Sequence, residues 1–228
     1  KFFINSTISY LARDSKTFIM GDGGRKGEFS MNEKVKAVIK EIFSWIKVIV
    51  LAFVVALLLN KFVIVNANVP TGSMEATIQP DDRLIGFRLS YLFSEPQRGD
   101  IIIFEYPVNP EEIYIKRVIA LPGETMEIKD AKVYINGSET PLSEPYLKEK
   151  WIVENDGLVL TIPEDHYFVM GDNRNNSLDG RYWATEAVMN EMASTLDDAI
   201  EKKYCFVSRD AILGKAIFRY FPSFTKMK

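Results

Sequence analysis

The chain has 228 residues, of which 47% are hydrophobic and 26% are charged, a balance typical of a folded globular protein. Its net charge of −3 gives no electrostatic reason to expect a nucleic acid as a partner. The single cysteine, Cys205, excludes an internal disulfide, and the single histidine, His166, excludes a multi-histidine metal centre. We therefore expect no metal and no other cofactor.

The first predicted element is an apolar helix over residues 42–65. Residues 48–59 are apolar without interruption and lie between Lys47 and Lys61. A helix separates these two lysines by about 21 Å, and both side chains can extend toward opposite faces of a hydrocarbon layer about 30 Å thick. The pattern predicts a transmembrane helix over residues 42–65, a polar tail over residues 1–41 and an outer domain over residues 66–228.

The basic residues near this helix predict its direction in a membrane. Four lysines precede it closely, at positions 26, 34, 36 and 40, whereas no Lys or Arg occurs between Lys61 and Arg83. The positive-inside rule then places the N-terminus in the cytoplasm and residues 66–228 outside it. We expect a single-pass protein of the cell membrane with an extracytoplasmic main domain.

Two other interpretations of the apolar segment stay open. It can be the buried core helix of a soluble domain, although a helix that is apolar all round is rare in a protein of this size. It can also be a cleavable signal peptide, because Val65-Asn66-Ala67 has the small-residue spacing of a cleavage site. The long leader and the interruption by Lys61 count against a signal peptide.

A short turn follows the apolar segment, with the sequence Pro70-Thr71-Gly72-Ser73-Met74. Pro70 and Gly72 favour a turn, and Gly72 permits backbone angles that leave the next hydroxyl exposed. Ser73 is therefore a candidate nucleophile, although a lone serine in such a turn is nearly always a turn residue and nothing more.

The segments after this turn have the composition of short β-strands, rich in β-branched and aromatic residues. Asn136-Gly137 is the strongest signal for a tight turn between strands. No βαβ alternation and no repeat occurs, so the outer domain is predicted to be mostly β, as a barrel or a sandwich. The predicted strands cover residues 83–87, 100–106, 113–120, 125–129, 132–135, 158–162, 166–170 and 212–221.

One of these strands carries a lysine among apolar residues. Strand alternation places Tyr114, Lys116 and Val118 on one face. A buried lysine without a counter-ion loses its proton more easily, because desolvation disfavours the charged amine, and a neutral amine can activate a serine hydroxyl. From the strand alone, a solvated lysine at a sheet edge is the more common alternative.

A dense polar loop over residues 171–181 follows the strand 166–170. It has some resemblance in spacing to a calcium loop, but the flanking helices are missing, and Arg174 and Arg181 would repel a cation. Ion pairs of Asp172 or Asp179 with Arg174, Arg181 or Arg117 are the better interpretation, and they would hold the loop against the lysine strand.

The segment from Thr185 to Lys203 differs from the rest of the outer domain. Its apolar residues follow a helical period, and Thr185 suits the start of a helix. We predict an inserted amphipathic helix near residues 185–203. It can pack on the β domain or lie on the membrane surface, and its acidic polar face makes the membrane the poorer choice.

Four segments, in this order behind one apolar helix, resemble the sequence boxes of bacterial type I signal peptidases. The resemblance extends from the apolar helix to about Phe221 and implies a signal-peptidase-like β-barrel or β-sheet catalytic domain. It also implies a serine endopeptidase that removes N-terminal signal peptides from exported precursor proteins, cutting after small residues. The four segments are residues 70–74, 98–104, 114–124 and 171–181.

The resemblance also implies the role of each site residue. Ser73 would attack the scissile carbonyl, and Lys116 would act as general base and then as acid. The Ser73 N–H and the Thr71 hydroxyl would form the oxyanion hole, and Ser177 would orient the Lys116 amine. Arg117, Asp172, Asp179 and Arg181 would hold the site together, and Met74 would contact the substrate.

Three features depart from the family pattern. Ala76 stands where proline is usual, Gly180 stands where serine is usual, and the helix near residues 185–203 is an insertion. They put efficiency and substrate preference in doubt. The alternative function is a catalytically inactive β domain, tethered to the bilayer, that only binds exported chains. The expected partners are therefore signal peptides of secreted precursors and the lipid bilayer.

Overall fold

A long helix precedes a β domain in the computed structural model, which describes residues 32–147, 149–152 and 155–227. Helix α1 covers Glu33–Phe62. It ends three residues before the predicted limit because Ile64 and Val65 already pair with the next strand. The chain divides into two units with the boundary inside α1, after residue 50, and the second unit contains the whole β domain. The predicted tail lies outside the described residues as far as residue 31, and its residues 33–41 belong to α1.

Helix α1 is long and apolar enough to cross a membrane, by length and composition. None of its residues is buried in the structure. A helix in the core of a soluble domain would bury its apolar side chains, so the core-helix interpretation is wrong.

The β domain consists of antiparallel strands in two sheets. The larger sheet has the strand order β1-β2-β10-β3-β4-β8-β9, and β11 pairs with β10; the smaller sheet has the order β6-β5-β7. The strands of the larger sheet are β1 Ile64–Asn68, β2 Arg83–Phe87, β3 Ile101–Tyr106, β4 Asn109–Ala120, β8 His166–Met170, β9 Val207–Ser208, β10 Ile212–Phe221 and β11 Thr225–Lys226. Those of the smaller sheet are β5 Thr125–Lys129, β6 Lys132–Ile135 and β7 Val159–Thr161.

The mostly β prediction is confirmed, and five predicted strands have the observed bounds: β2, β5, β6, β8 and β10. The prediction missed β1, β9 and β11. Asn136 and Gly137 do adopt positive φ, of 51° and 68°, in a turn that ends β6. The hairpin between β5 and β6, however, closes at Asp130 and Ala131, whose φ angles of 49° and 55° suit a tight primed turn.

The predicted inserted helix is two short helices. Helix α2 covers Trp183–Met189 and begins two residues before Thr185. It ends in a Schellman motif, in which the Met192 N–H donates to the Ala187 carbonyl at 2.9 Å and the Glu191 N–H to the Val188 carbonyl at 3.1 Å. Glu191 has the left-handed φ of 59° that this motif requires.

Helix α3 covers Leu196–Glu201 and repeats this ending. Thr195 caps its start, because the Thr195 side chain accepts a hydrogen bond from the Asp198 N–H at 3.1 Å. Its end has Lys203 at a φ of 67°. The Tyr204 N–H there donates to the Ala199 carbonyl at 3.0 Å.

Two buried clusters of apolar side chains form the core, and strand β4 contributes to both. Ile115 belongs to the smaller cluster, with Met74 and Ile78, whereas Val118 belongs to the larger cluster, with Trp183 of α2. Residues 115–120 are all buried as a result. A side chain in this half of β4 is thus shielded from water on both faces of the sheet.

Candidate active site

Ser73 lies in a single 3₁₀ turn, Gly72–Met74, directly after an extended Thr71. Met74 and Ile78 anchor one side of the turn, because both are fully buried in the smaller cluster. Apolar side chains on one side of a short turn leave the serine hydroxyl on the other. Only 8% of Ser73 is exposed.

Lys116 reaches Ser73 from the neighbouring part of the β domain. Its backbone lies on β4, opposite Ile102 of β3. The Lys116 Nζ atom is 2.7 Å from Ser73 Oγ, within hydrogen-bonding distance, and 3.2 Å from the Ile115 carbonyl oxygen. Only 4% of Lys116 is exposed, so the solvated edge lysine considered above is not what the structure contains.

Burial also changes the acidity of this amine. Desolvation lowers the pKa of Lys116 to about 8, from an ordinary 10.5. The carboxylates of Asp179 and Asp172 act in the opposite direction, and the charge of Arg181 again favours the neutral amine. A substantial fraction of the Lys116 side chains is therefore neutral near pH 8 and can accept a proton.

The residue after Lys116 anchors the polar loop. Arg117 donates two hydrogen bonds to the Asp172 carboxylate, from Nε at 2.8 Å and from an Nη atom at 2.7 Å. Another Nη atom donates to the Gly99 carbonyl at 2.6 Å. The hydroxyl of Thr77, four residues after Ser73, donates to the same carboxylate. This buried pair connects the lysine strand, the nucleophile turn and the loop.

A second buried pair lies within the loop. Arg181 donates to both oxygens of Asp179, at 2.8 and 2.9 Å, and the Gly171 N–H donates to Asp179 at 2.9 Å. Burial alone would raise the pKa of Asp179, but the charge and hydrogen bonds of Arg181 hold it below its usual range. Of the ion pairs left open by the sequence, the structure thus contains Asp172 with Arg117 and Asp179 with Arg181.

Three expected site residues differ in how close they lie to Ser73 and Lys116. The Thr71 hydroxyl lies 3.4 Å from Ser73 Oγ. The Ser177 hydroxyl is buried beside Gly171, and among the described residues no hydrogen bond joins it to Lys116. Met74 is fully buried and does not line the cleft, so its contact with substrate stays a prediction from the resemblance.

Sequence reasoning missed two sets of contacts made by the loop, one to the nucleophile turn and one to Glu144. Asn173 donates from its side chain to the Gly72 carbonyl and from its backbone to the Ser73 carbonyl, both at 3.1 Å. Arg174, which the sequence left among the partners of Asp172 and Asp179, pairs with Glu144. A polar loop directly following a buried strand was the only sequence signal for either group.

The Ser–Lys pair lies at the side of a cleft with a volume of about 920 Å³. Two chain segments form most of its lining, residues 64–73 and residues 112–116, together with Asn176, Leu178 and Leu213. Strand β1 is an edge strand of the sheet. In the described residues, β4 pairs with β8 only from Arg117 onward, so residues 112–116 present a second unpaired edge.

The described residues contain no group of three or more His, Cys, Asp or Glu side chains that could hold a metal ion. The cleft instead offers a hydroxyl, a buried amine close to it and free strand edges. These groups suit nucleophilic attack on the carbonyl of an extended peptide.

Comparison with known protein families agrees with this geometry. Residues 42–221 match the family described as signal peptidase, peptidase S26. The chain belongs to this family. The resemblance seen in the four sequence segments is thereby confirmed, and the family match includes both unpaired strand edges of the cleft.

Two individual relatives support the same assignment, and a solved structure is reported beside them. The chain is 37% identical to a signal peptidase I of Leptolyngbya laminosa, over 78% of each protein. It is 39% identical to a signal peptidase I of Bacillus licheniformis, over 68% of this chain and 83% of that protein. The crystal structure of a signal peptidase I from Enterococcus faecalis V583 is 34% identical and matches with a TM-score of 0.39, over 54% of this chain and 97% of that one.

Proposed function

We propose that this chain is a membrane-bound serine endopeptidase that removes N-terminal signal peptides from exported precursors, with Ser73 as nucleophile and Lys116 as general base. The observation that carries this proposal is the 2.7 Å separation of Lys116 Nζ and Ser73 Oγ inside a nearly dry site. Family membership supports the endopeptidase activity itself, and no observation favours the inactive binding domain.

The Lys116 amine transfers a proton in each half of the reaction. The neutral Lys116 amine takes the proton of the Ser73 hydroxyl as Oγ attacks the scissile carbonyl carbon. The resulting ammonium then protonates the leaving amine, which departs with the mature protein, while the signal peptide stays bound to Ser73 as an ester. A water molecule, deprotonated by the same amine, attacks this ester, and the ammonium returns that proton to Ser73 Oγ as the signal peptide leaves as a carboxylic acid.

The negative charge on the carbonyl oxygen needs hydrogen-bond donors during both steps. The Thr71 hydroxyl is close enough to Ser73 Oγ to face that oxygen, and we assign it to the oxyanion hole together with the Ser73 N–H. Donors of this kind commonly contribute about 2.7–4 kcal/mol to transition-state stabilisation.

The substrate binds in an extended conformation between the two strand edges. The N–H and carbonyl groups of residues 64–68 and 112–116 that face the cleft can pair with a peptide backbone, as in other complexes where a peptide adds a strand to a sheet. Backbone pairing is independent of sequence, which suits an enzyme that accepts many precursors. Specificity then comes from the substrate side chains, because the enzyme cuts after small residues.

Helix α1 anchors the enzyme in the membrane, with the N-terminus in the cytoplasm and the β domain outside. The described helix is apolar without interruption over residues 48–59, and four of its five lysines lie in its first half. Anchoring places catalyst and substrate in the same thin layer, because signal peptides also enter the membrane. Confinement of this kind raises the effective concentration of substrate without new contacts.

Cleavage of a precursor by the purified full-length chain tests this function. The chain in phospholipid vesicles is incubated with a precursor bearing a signal peptide, and the products are identified by mass. Ser73→Ala and Lys116→Ala should each abolish cleavage. The matched control variants Ser143→Ala and Lys129→Ala, at exposed positions of the β domain, should keep full activity.

The outcomes separate the candidate functions. Cleavage that survives Lys116→Ala contradicts the Ser–Lys mechanism, and a wild-type chain that binds the precursor without cutting it favours the inactive binding domain. The orientation is tested separately with protease added outside sealed cells. Digestion of the β domain with protection of the N-terminal tail is expected, and the reverse result would contradict the proposed topology.

A further inference from the structure

Helix α2 of the inserted segment is connected to the active site through aromatic side chains. Its Glu186 carboxylate accepts a hydrogen bond from the Tyr106 hydroxyl at the end of β3. The Tyr106 ring stacks on the Tyr114 ring, with centroids 4.4 Å apart and planes within 2°. The Tyr114 ring in turn lies beside Lys116, with its centroid 5.2 Å from Nζ.

Trp183, the first residue of α2, closes this arrangement from the side. Its ring meets the edges of both tyrosines, at centroid distances of 5.4 Å to Tyr106 and 6.4 Å to Tyr114. Trp183 is fully buried in the larger core cluster. The two tyrosine rings are therefore fixed by α2 at two points, by the indole ring and by the Glu186 carboxylate.

The other end of the inserted segment also reaches the active-site loop. A Cβ atom at Gly180 would lie 2.7 Å from a ring carbon of Phe168 and 2.8 Å from the Cys205 carbonyl oxygen. The chain returning from α3 thus packs directly on the residue between Asp179 and Arg181. Both ends of the segment therefore contact residues that adjoin the catalytic site: Tyr114, whose ring lies beside Lys116, and Gly180 of the polar loop. A peripheral insertion would make no such contacts.

We propose that α2 positions the catalytic lysine, with Glu186 and Tyr106 as positioning residues that act on Lys116 through the Tyr114 ring. The inference rests on the proposed function, because it concerns the base of the same reaction. A Tyr114 ring held in one place forms a fixed wall beside the amine and keeps it aimed at Ser73. A ring that can rotate leaves the amine several orientations, of which only one is productive.

Four variants measure this coupling in the full-length chain. Glu186→Ala leaves the Tyr106 hydroxyl without its acceptor, and Tyr106→Phe keeps the ring but removes the hydroxyl. Each should lower kcat by about 5- to 20-fold with KM within about twofold, since a catalytic group is misplaced while the backbone edges that would pair with the peptide stay in place. Glu186→Gln, which still offers an acceptor oxygen, should keep most of the wild-type kcat. Glu201→Ala, at an exposed position on α3, is the matched control and should behave as the wild type.

The double variant distinguishes positioning from general loosening. If both residues act through one hydrogen bond, Glu186→Ala combined with Tyr106→Phe should lose no more activity than either single variant. Thermal unfolding of each variant is recorded alongside, and the kcat values refer to folded protein. An additive loss, a loss confined to KM, or full kcat in Glu186→Ala would each overturn the inference. Failure of the wild-type chain to cleave would instead reject the proposed function.

Discussion

The Asp172 carboxylate accepts two hydrogen bonds from Arg117, the residue that follows Lys116 along β4. Only 3% of the Arg117 side chain and none of the Asp172 side chain is exposed. Because Thr77 donates to the same carboxylate, the pair fixes the distance between the strand that carries the base and the turn that carries the nucleophile.

Asp172→Ala should therefore affect both stability and catalysis. Removal of one partner leaves the Arg117 charge buried without its main counter-ion, which typically costs about 3–5 kcal/mol. We expect this loss in the free energy of unfolding by urea and nearly complete loss of cleavage. The exposed Lys202–Asp198 pair is the control, since solvent screens its charges and Lys202→Ala should cost far less than Asp172→Ala. Similar losses in both variants would show that burial of the pair is unimportant.

The rate of cleavage should depend on pH through the Lys116 amine. The reaction needs the neutral amine, and the pKa of Lys116 is about 8 because burial disfavours its charge. Below that pH, kcat/KM should fall about tenfold for each unit, and above it the rate should level off. An acid limb of kcat/KM centred near 10.5, the ordinary pKa of this amine, would contradict the burial of the Lys116 amine.

The same pKa implies that the catalytic lysine destabilises the fold. The folded state holds the Lys116 proton less tightly than the unfolded chain, whose amine has the ordinary pKa of 10.5. Stability therefore increases as pH rises through the window from about 8 to 10.5, and below it the cost is about 3 kcal/mol.

Lys116→Met should consequently stabilise the inactive chain. It keeps a side chain of similar length and removes the buried charge, so the free energy of unfolding at pH 7 should rise by as much as about 3 kcal/mol. Near pH 10 the gain should shrink to about 1 kcal/mol, because the unfolded amine is then itself partly neutral. Urea unfolding at the two pH values checks this, and a gain that is the same at both would contradict the assigned cause.

The sequence predicted those elements whose signals are local. The mostly apolar runs of β2 and β8 stand between polar turns, and their bounds were correct. The break between α2 and α3 was missed because Glu191 occupies the left-handed position where glycine usually signals the end of a helix. Strand β1 was merged with the apolar helix because its five residues follow α1 almost directly.

The site was predictable as a set of residue types and not as a network of contacts. Ser73 and Lys116 were named from a turn, a strand and a family resemblance, whereas their separation depends on pairing between strands distant in sequence. The contacts of Asn173 with the nucleophile turn and of Glu186 with Tyr106 join segments about 100 and 80 residues apart. No local pattern encodes such pairs.

Ala76 should be a strained residue in the turn after the nucleophile. Glu75 has φ −59° and ψ 133°, Ala76 has a φ of 108°, and the Thr77 N–H donates to the Met74 carbonyl at 3.0 Å. These are the features of a type II turn, in which glycine is preferred at the position of Ala76. The turn is therefore hydrogen-bonded and not loosened by the absence of proline, which cannot adopt a positive φ.

Two substitutions at this position should have opposite effects. Ala76→Gly removes strain of about 1–3 kcal/mol and loses about 0.5–1 kcal/mol through the freer unfolded chain, so a net gain near 1 kcal/mol is expected. Ala76→Pro should destabilise the chain and lower cleavage. Urea unfolding and precursor cleavage measure both, and a stabilising proline would contradict the type II geometry.

Gly171 should tolerate no side chain, because the loop and the nucleophile turn approach most closely there. A Cβ atom at this position would lie 2.4 Å from the Ser73 carbonyl oxygen and 2.2 Å from the Ser177 hydroxyl. The Ser177 Cβ atom would lie 2.6 Å away and, unlike the hydroxyl, cannot rotate away, and the carbonyl belongs to the backbone of the nucleophile itself. Gly171→Ala should therefore displace Ser73 and lower kcat by about 100-fold or more, with a smaller loss of about 1–3 kcal/mol in stability.

A second substitution identifies which contact is responsible. Ser177→Gly in the Gly171→Ala background removes the side-chain overlap and leaves the overlap with the Ser73 carbonyl unchanged. We expect no recovery of kcat relative to the Ser177→Gly single variant, measured as precursor cleavage per folded enzyme. Recovery to the level of that single variant would mean that only the Ser177 side chain was crowded, and that the loop does not fix the position of Ser73 through its backbone.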